Sequence, residues 1–274
     1  RLFGLSAQEV EPYFQEVKRM LLEETDYELE LKRSQAISEA CGSLEGLRFP
    51  DYYPLYSSKR ILTMDWLQGE HLDAFAKRQA PQEQRNRIGQ LLWNFFDYQI
   101  HQLLQVHADP HPGNFLVMDH ELGVIDFGCV KEIPKSFHDS YFQLLEPELI
   151  HHRERFIDLL TELELIYPNE PNRETIIEVL YQSLELLGRP FRAETFDFGD
   201  PDYINAIYEF GEQAAQMKEL RASNRPVVLN TPCTSTAPIL GFSICSICWG
   251  QRSIPVQKCS TKPGSRRWRV KIFQ

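Results

Sequence analysis

Cysteine is scarce in most of this sequence, and long apolar runs are missing altogether. Cys41 and Cys129 are the only cysteines before residue 230, which suits a reducing compartment better than a disulfide-bonded secreted domain. No run approaches the roughly 20 apolar residues that span a bilayer, and the chain does not begin with a signal-peptide pattern. We therefore expect a soluble, non-secreted protein of the cytoplasm.

Acidic residues are missing from the last fifth of the chain. Residues 220–274 contain nine basic residues and no acidic one, whereas residues 1–219 hold all 39 acids and 20 of the 29 bases. We expect residues 224–274 to be an atypical basic tail, either disordered or the product of a frameshift. The tail contains one C-x-x-C, but the spacing of its four cysteines is not that of a zinc ribbon, so a solvated basic tail is the simpler interpretation.

The rest of the sequence has the periodicity of a globular protein. With 274 residues, 42% hydrophobic and 25% charged, the chain is long enough to bury a sizeable core. Apolar residues at helical spacing predict one or two helices over 6–40, a long helix over 82–106 and more helices over 137–165 and 173–223. Short apolar runs separated by glycine and proline predict a strand pair over 44–66.

The most informative segment follows the long predicted helix. His107-Ala-Asp109-Pro-His-Pro-Gly-Asn114 is followed by two short apolar runs around a turn and then by Asp126-Phe-Gly128. The order H-x-D-x-x-x-x-N, hairpin, D-F-G is typical of the catalytic and metal-binding loops of kinases. Since a hairpin returns its ends to neighbouring positions, we expect Asn114 and Asp126 to lie close together.

These residue types suit phosphoryl transfer, in which the protein mainly positions phosphates and neutralises their charge with magnesium. Asn114 and Asp126 offer the oxygen ligands that Mg²⁺ prefers. Asp109 is the candidate catalytic residue, because a carboxylate there would orient or deprotonate the attacking hydroxyl or water. His107 is expected to organise the loop rather than to transfer protons. The remaining candidates for supporting the catalytic loop are Gly113, Phe127 and Gly128.

Two other interpretations of this segment remain open. Asp, Asn, Gly and Pro are also ordinary turn residues. A metal-hydrolase site on His107, Asp109 and His111 would use the same segment, although the sequence offers no further matching set of ligands. The order of the two loop motifs, with a predicted hairpin between them, favours phosphotransfer.

Together with the acidic segment Glu24-Thr-Asp26-Tyr-Glu-Leu-Glu30 upstream, the two loop motifs resemble the UbiB/AarF family of atypical, protein-kinase-like kinases. The resemblance covers roughly residues 1–230. It implies that Glu24 and Asp26 form the family's E-x-D motif and that Glu30 is the acid that pairs with the kinase lysine. From the residues alone, the same cluster is equally well explained as a solvated helix face.

The resemblance also implies an adenine-binding hinge at Met64-Asp65-Trp66-Leu67, a segment that periodicity alone would make a core strand. The family's K-x-G-Q signature, alanine-rich nucleotide loop and strand lysine should precede Glu24, and none occurs there. We therefore expect an N-terminally truncated chain in which Glu30 has no lysine partner. Without that loop and lysine, the phosphates lose much of their electrostatic stabilisation, so nucleotide binding should be weak and turnover low.

The sequence thus predicts an α+β, protein-kinase-like fold with a partial N-lobe over 1–68, a mainly helical C-lobe over 69–223 and the tail over 224–274. The resemblance implies binding of ATP with Mg²⁺ and support of isoprenoid-quinone (ubiquinone-type) biosynthesis, as an ATPase or a small-molecule or lipid kinase. The partners it implies are an isoprenoid-quinone precursor or quinone-biosynthesis proteins, with peripheral contact to a membrane and no nucleic acid.

Two alternative functions are compatible with the same motifs. Aminoglycoside- and choline-type phosphotransferases share a similar H-x-D-x-H-x-G-N loop, but Pro110 and the Asp126-Phe-Gly128 triplet favour the UbiB family. An inactive kinase-like binding module is the second alternative. Three oxygen-bearing side chains at metal-site positions, Asp109, Asn114 and Asp126, argue against it.

Overall fold

The computed structural model describes residues 11, 14, 15, 18, 19, 21–23, 25–78, 80–107, 111–128, 130–146, 148, 152–217 and 255–257. The chain divides into two compact units, the first from Arg1–Ala80 with Asn94–Glu132 and the second from Pro81–Trp93 with Ile133–Gln274. The predicted lobe boundaries remain predictions. No helix among the described residues is both long and apolar enough to cross a membrane.

The first unit combines short strands with helices. Its elements are α1 (Tyr27–Cys41), β1 (Leu47–Arg48), β2 (Glu70–His71), α2 (Leu72–Lys77), β3 (Gln105–His107), β4 (Phe115–Met118), β5 (Glu121–Val124) and β6 (Val130–Glu132). Four strands form a sheet in the order β1-β5-β4-β2, in which β1 pairs with β5 in parallel and the other pairs are antiparallel. Strands β3 and β6 form a separate antiparallel pair.

The helical sequence at the start of the chain is interrupted by a turn at Thr25 and Asp26. The Asp26 carboxylate accepts a hydrogen bond from the backbone N–H of Leu29 at 3.3 Å, which caps the first turn of α1. The sequence allowed one helix or two over this segment. The described residues agree with two, because the Asp26 cap begins a new helix after the turn.

The hairpin predicted between the two loop motifs is confirmed. Strands β4 and β5 pair in the register Phe115 with Val124 and Met118 with Glu121. The turn between them places Asp119 at φ 58°, a left-handed conformation that Asp tolerates better than most residues. The hairpin thus brings the end of the catalytic loop and the start of D-F-G to one edge of the sheet.

The strand pair predicted over 44–66 is only partly formed. Beyond β1 the structure has isolated bridges between Tyr52 and Met64 and between Ser58 and Ile61. A 3₁₀ turn at Pro54–Tyr56 interrupts the pairing, since proline has no N–H to donate to a ladder.

The long helix before the catalytic loop ends earlier than its pattern predicts. Helix α3 (Gln82–Tyr98) continues into a π-helical turn at Gln99–Leu103, and the chain then reverses into β3. The buried Gln99 side chain accounts for this ending. Its amide donates to the Phe95 carbonyl at 3.3 Å, and its oxygen accepts the His107 backbone N–H at 2.9 Å.

Leu104, which ends the π-helical turn, has φ 50° and ψ 37°. A left-handed conformation costs a residue with a Cβ roughly 1–2 kcal/mol. We expect Leu104→Gly to be about 0.5–1 kcal/mol more stable than Leu104→Ala, because both lose the side chain and only glycine relieves the strain. Urea unfolding of the two variants measures this difference.

The neighbouring Leu103 provides the control for this comparison. It lies within the π-helical turn and is not among the residues with positive φ. There the usual order should return, with the alanine variant more stable than the glycine variant. Alanine as the more stable replacement at both positions would contradict the assignment of strain to Leu104.

The second unit is mainly helical. It contains the first part of α3 together with α4 (Lys135–Gln143), α5 (Arg153–Glu162), α6 (Arg173–Leu187), α7 (Arg189–Arg192), β7 (Thr195–Asp197), α8 (Pro201–Gln216) and β8 (Pro255–Gln257). Trp93 packs against Phe191 and Phe198 in its core, with ring centroids 5.3 and 5.7 Å apart. Strand β8 pairs antiparallel with β7. The rest of the predicted tail, including its four cysteines, lies outside the described residues.

Candidate active site

The two predicted metal ligands lie at the open end of the β4–β5 hairpin. Asn114 ends a 3₁₀ turn (Pro112–Asn114) that leads directly into β4. Its carbonyl oxygen accepts a hydrogen bond from the backbone N–H of Ile125 at 3.1 Å. Because Ile125 immediately precedes Asp126, the two ligand positions are brought together as the hairpin predicts.

The Asp126 carboxylate is held by its own loop. Its Oδ1 accepts a hydrogen bond from the backbone N–H of Gly128 at 2.7 Å. A Cβ placed on Gly128 would lie 3.3 Å from this oxygen and 4.0 Å from Oε2 of Glu30. The D-F-G glycine therefore lies beside both carboxylates, one from the metal-binding loop and one from α1.

Glu30 carries the clearest electrostatic signature of the site. Burial, together with the negative charge of Asp126, raises the pKa of the Glu30 carboxyl to about 7. Tyr52 lies in the same cluster. Burial and the charges of Glu30 and Asp126 raise the pKa of its phenol to about 12, against a partial opposing effect of the Ser34 and Ser38 hydroxyls. The carboxyl groups of Glu30 and Asp126 therefore make the site a region of negative potential that would favour a cation.

This charge should make the stability of the metal-free protein depend on pH through Glu30. A carboxyl group whose pKa is higher in the folded than in the unfolded protein adds most to the free energy of unfolding when the pH is below its unfolded pKa of 4.5. This contribution is lost as the pH rises towards the folded pKa of about 7. We expect Glu30→Gln to be about 1–2 kcal/mol more stable than the wild type at pH 8, the group being partly screened by solvent. The advantage should shrink to a few tenths of a kcal/mol at pH 5.

Urea unfolding in EDTA at the two pH values measures this effect. Glu28→Gln, an exposed position in the first turn of the same helix, is the matched control and should not be more stable than the wild type at pH 8, because a carboxylate there favours the helix N-terminus. An equal advantage of Glu30→Gln at both pH values would contradict the assignment.

His107 and Phe127 anchor the two loops in the core. His107 is fully buried, and its ring centroid lies 5.7 Å from that of Phe127 and 6.3 Å from that of Phe115. Phe127 also packs against Phe95, at 6.3 Å between centroids. This packing is compatible with the predicted supporting role of His107, which stays a prediction.

Gly113 is held by two histidines just before Asn114. Its N–H donates to Nδ1 of His111 at 3.0 Å, and its carbonyl oxygen lies 3.1 Å from Nδ1 of His71. A Cβ at Gly113 would lie 2.9 Å from Nδ1 of His111, so a side chain there would displace the His111 ring. Asp109, the predicted catalytic residue, lies outside the described residues.

The predicted E-x-D motif is only partly described, because Glu24 lies outside the described residues. Asp26 caps α1 through its side chain, a contact that the motif did not predict. The functional role of the motif stays a prediction.

The predicted hinge is a surface segment. Trp66 is 90% exposed and Met64 is 37% exposed, so the alternative of a core strand at this position is wrong. The Asp65 carboxylate accepts from the Tyr53 hydroxyl at 2.7 Å, and its backbone N–H donates to the Asp51 carbonyl. Leu67 is half-buried. The adenine-binding role of the segment stays a prediction.

Sequence reasoning missed Arg33 and Gln99. Arg33 follows Glu30 by three residues and donates to the Gly128 carbonyl at 2.9 Å. Its position one turn along the same helix was a usable signal, since residues three apart share a helix face. Gln99, which binds the His107 N–H, gave no comparable signal because its partners are set by the π-helical turn.

The residues present fit a magnesium ion. Magnesium usually keeps several waters and binds through one or two protein oxygens and the substrate phosphates. Asp126 would supply a carboxylate and Asn114 an amide oxygen, and Glu30 adds negative charge near Asp126. Among the described residues, no group of three or more His, Cys, Asp or Glu side chains could hold a metal.

The fold can be compared with that of a solved structure. A solved structure, titled the complex structure of Rv3197-erythromycin from Mycobacterium tuberculosis, superposes with a TM-score of 0.65 over 87% of this chain and 58% of that one. At 22% identity this likeness shows the fold alone. The predicted α+β, protein-kinase-like fold is confirmed.

The family follows from the sequence match. A model of the ABC1 atypical kinase-like domain matches residues 2–158, more than half of the chain. The chain belongs to this family, which confirms the predicted UbiB/AarF membership.

Curated relatives agree with this assignment. AarF domain-containing protein kinase 1 of Xenopus laevis is 28% identical over 147 residues, 52% of this chain and 28% of that protein. AarF domain-containing kinase 1 of Drosophila melanogaster is 32% identical over 146 residues, 47% of this chain and 26% of that protein. The chain thus spans less than a third of the length of these relatives.

Proposed function

We propose that this protein is a UbiB-type atypical kinase or ATPase that binds ATP with Mg²⁺ and supports isoprenoid-quinone biosynthesis. The observation that supports the proposal is that Asp126 and Glu30 lie beside the D-F-G glycine, while the Asn114 carbonyl oxygen accepts from the N–H of Ile125, the residue next to Asp126. Two neighbouring carboxylates repel each other, so a cation would stabilise them, and the amide oxygen of Asn114 would add a further ligand.

Each residue has a distinct role in the proposal. Asp126 and Asn114 would hold Mg²⁺, which when bound neutralises charge on the transferred phosphoryl group. Glu30 would receive a cationic side chain or remain protonated near neutral pH, given its raised pKa. Asp109 would orient the attacking hydroxyl or water, and the segment from Met64 to Leu67 would receive adenine through its backbone.

The acceptor of the phosphoryl group follows from the family alone. The quinone assignment, the preference for an ATPase or a lipid or small-molecule kinase, and peripheral membrane contact are all proposed on that ground. The cytoplasmic location is proposed on the scarcity of cysteine before residue 230.

A comparison of acceptors tests the proposal. Labelled ATP with Mg²⁺ is supplied with water alone, with a polyprenylated phenol in detergent micelles, and with kanamycin and choline. We expect slow release of inorganic phosphate or transfer to the phenol. Transfer to kanamycin or choline would favour the aminoglycoside- or choline-type alternative, and nucleotide binding without any turnover would favour an inactive binding module.

A further inference from the structure

Arg33 connects three parts of the first unit. One nitrogen, Nη1, donates to the Gly128 carbonyl oxygen at 2.9 Å, and the other, Nη2, pairs with Oε2 of Glu23 at 2.7 Å. The Arg33 side chain is 22% exposed and that of Glu23 is 20% exposed, so this ion pair is mostly shielded from water. A guanidinium group suits this position because its rigid fork can make both contacts at once.

The Gly128 contact leads directly to the metal-binding carboxylate. The Gly128 N–H donates to Asp126 and its carbonyl oxygen accepts from Arg33, so both polar groups of this residue are fixed. Glycine has the greatest backbone freedom of any residue and needs such external contacts to hold one conformation. Arg33 therefore acts on Asp126 through a single intervening residue.

Glu23 keeps Arg33 in place. Burial alone would raise the pKa of Glu23, but hydrogen bonds and charges from Arg33 and Arg19 outweigh it and lower the pKa below its usual value. Glu23 is therefore charged at neutral pH. Because Glu23 also pairs with Arg19, it draws Arg33 towards the helical segment before α1 and restricts its rotamers.

We propose that Arg33 is a positioning residue that fixes the Gly128 carbonyl and thereby aims the Asp126 carboxylate at the nucleotide-bound metal. The inference rests on the proposed function, since it assigns a role within the same magnesium site. It differs from the pairing of Glu30 with a lysine, because Arg33 contacts the metal-binding loop through backbone and does not neutralise Glu30. Arg33 makes no contact with substrate in this role.

The test is the magnesium dependence of ATP binding by the wild type and by Arg33→Met, which keeps the apolar stem and removes the donors. We measure the Mg²⁺ concentration that gives half of the ATP-induced rise in melting temperature. A hydrogen bond from a charged donor of this kind is worth enough to raise that concentration about tenfold. At saturating Mg²⁺ the ATP-induced rise in melting temperature should reach the wild-type size, which a general loss of structure would not produce.

Three further variants make the result specific. Arg33→Lys should recover part of the wild-type value, because an ammonium group can reach one of the two partners. Glu23→Gln should shift the concentration in the same direction by a smaller factor, and it tests the inference independently if Arg33→Met does not fold. Arg48→Met removes an exposed arginine paired with Glu121 in the same unit and should leave the concentration unchanged.

The outcomes separate this inference from the function on which it rests. A wild-type response that Arg33→Met and Glu23→Gln both retain at the same Mg²⁺ concentration overturns the role of Arg33 and leaves the magnesium site intact. A wild type that does not respond to ATP with Mg²⁺ overturns the proposed function and this inference with it. A shift equally large in Arg48→Met would also overturn it.

Discussion

Asp126→Asn should weaken magnesium-dependent ATP binding by about 100-fold or more. Loss of an outer partner of a metal ligand already costs 10–100-fold in metal affinity, and this change removes the charge of the ligand itself. An asparagine oxygen can still accept the Gly128 N–H, so the loop should keep its conformation. Titration of a fluorescent ATP analogue at saturating Mg²⁺ measures the affinity.

The stability of the same variant without metal is the control for its folding. Removing the Asp126 charge relieves its repulsion with Glu30, so the metal-free variant should be at least as stable as the wild type at pH 8. Asp119→Asn makes the same chemical change at the other end of the hairpin, on a side chain that is 83% exposed, and should leave the affinity unchanged. Equal affinity of wild type and Asp126→Asn would remove Asp126 from the metal site.

Phe95→Ala should lower the free energy of unfolding of the first unit by about 3–5 kcal/mol. Phe95 is fully buried and packs against four rings, with centroids 5.5–6.3 Å away: Phe49, Phe96, Phe115 and Phe127. Because these rings come from the helix, the hairpin, D-F-G and the residue after β1, the cavity would open beneath the site. Urea unfolding followed by circular dichroism measures the loss.

Leu55→Ala is the control for this prediction. Leu55 is 94% exposed in the 3₁₀ turn, and its truncation should change stability by no more than about 0.5 kcal/mol. A loss below about 1 kcal/mol for Phe95→Ala would show that the five rings do not form a packed cluster.

The catalytic hairpin could be predicted from sequence because all its signals are local. The apolar runs after Asn114, the turn around Asp119 and the D-F-G triplet at Asp126 lie within 15 residues of one another. Each local preference agrees with the fold, which makes such a segment readable. The placement of Asn114 beside Asp126 then follows from the geometry of a hairpin.

The predictions from sequence are wrong where contacts between residues far apart in the chain override local preference. Leu103 and Leu104 suit a helix and continue the apolar stripe of α3, yet Gln99 binds the His107 N–H and ends the helix early. The spacing of Arg33 from Glu30 places both on one helix face, but the partner of Arg33, the Gly128 carbonyl, lies 95 residues away and is not indicated by that spacing. Periodicity alone predicts a core strand at Trp66, whereas the structure has Trp66 exposed on the surface.

The central claim is that Asn114 and Asp126 form a magnesium–nucleotide site. A thermal-shift titration with ATP, with and without Mg²⁺, tests it most directly, because a ligand that binds only the folded state raises its stability. We predict a rise in melting temperature with ATP that requires Mg²⁺ and disappears in Asp126→Asn. A rise that is the same without Mg²⁺, or no rise at saturating ATP and Mg²⁺ in the folded protein, would contradict the account.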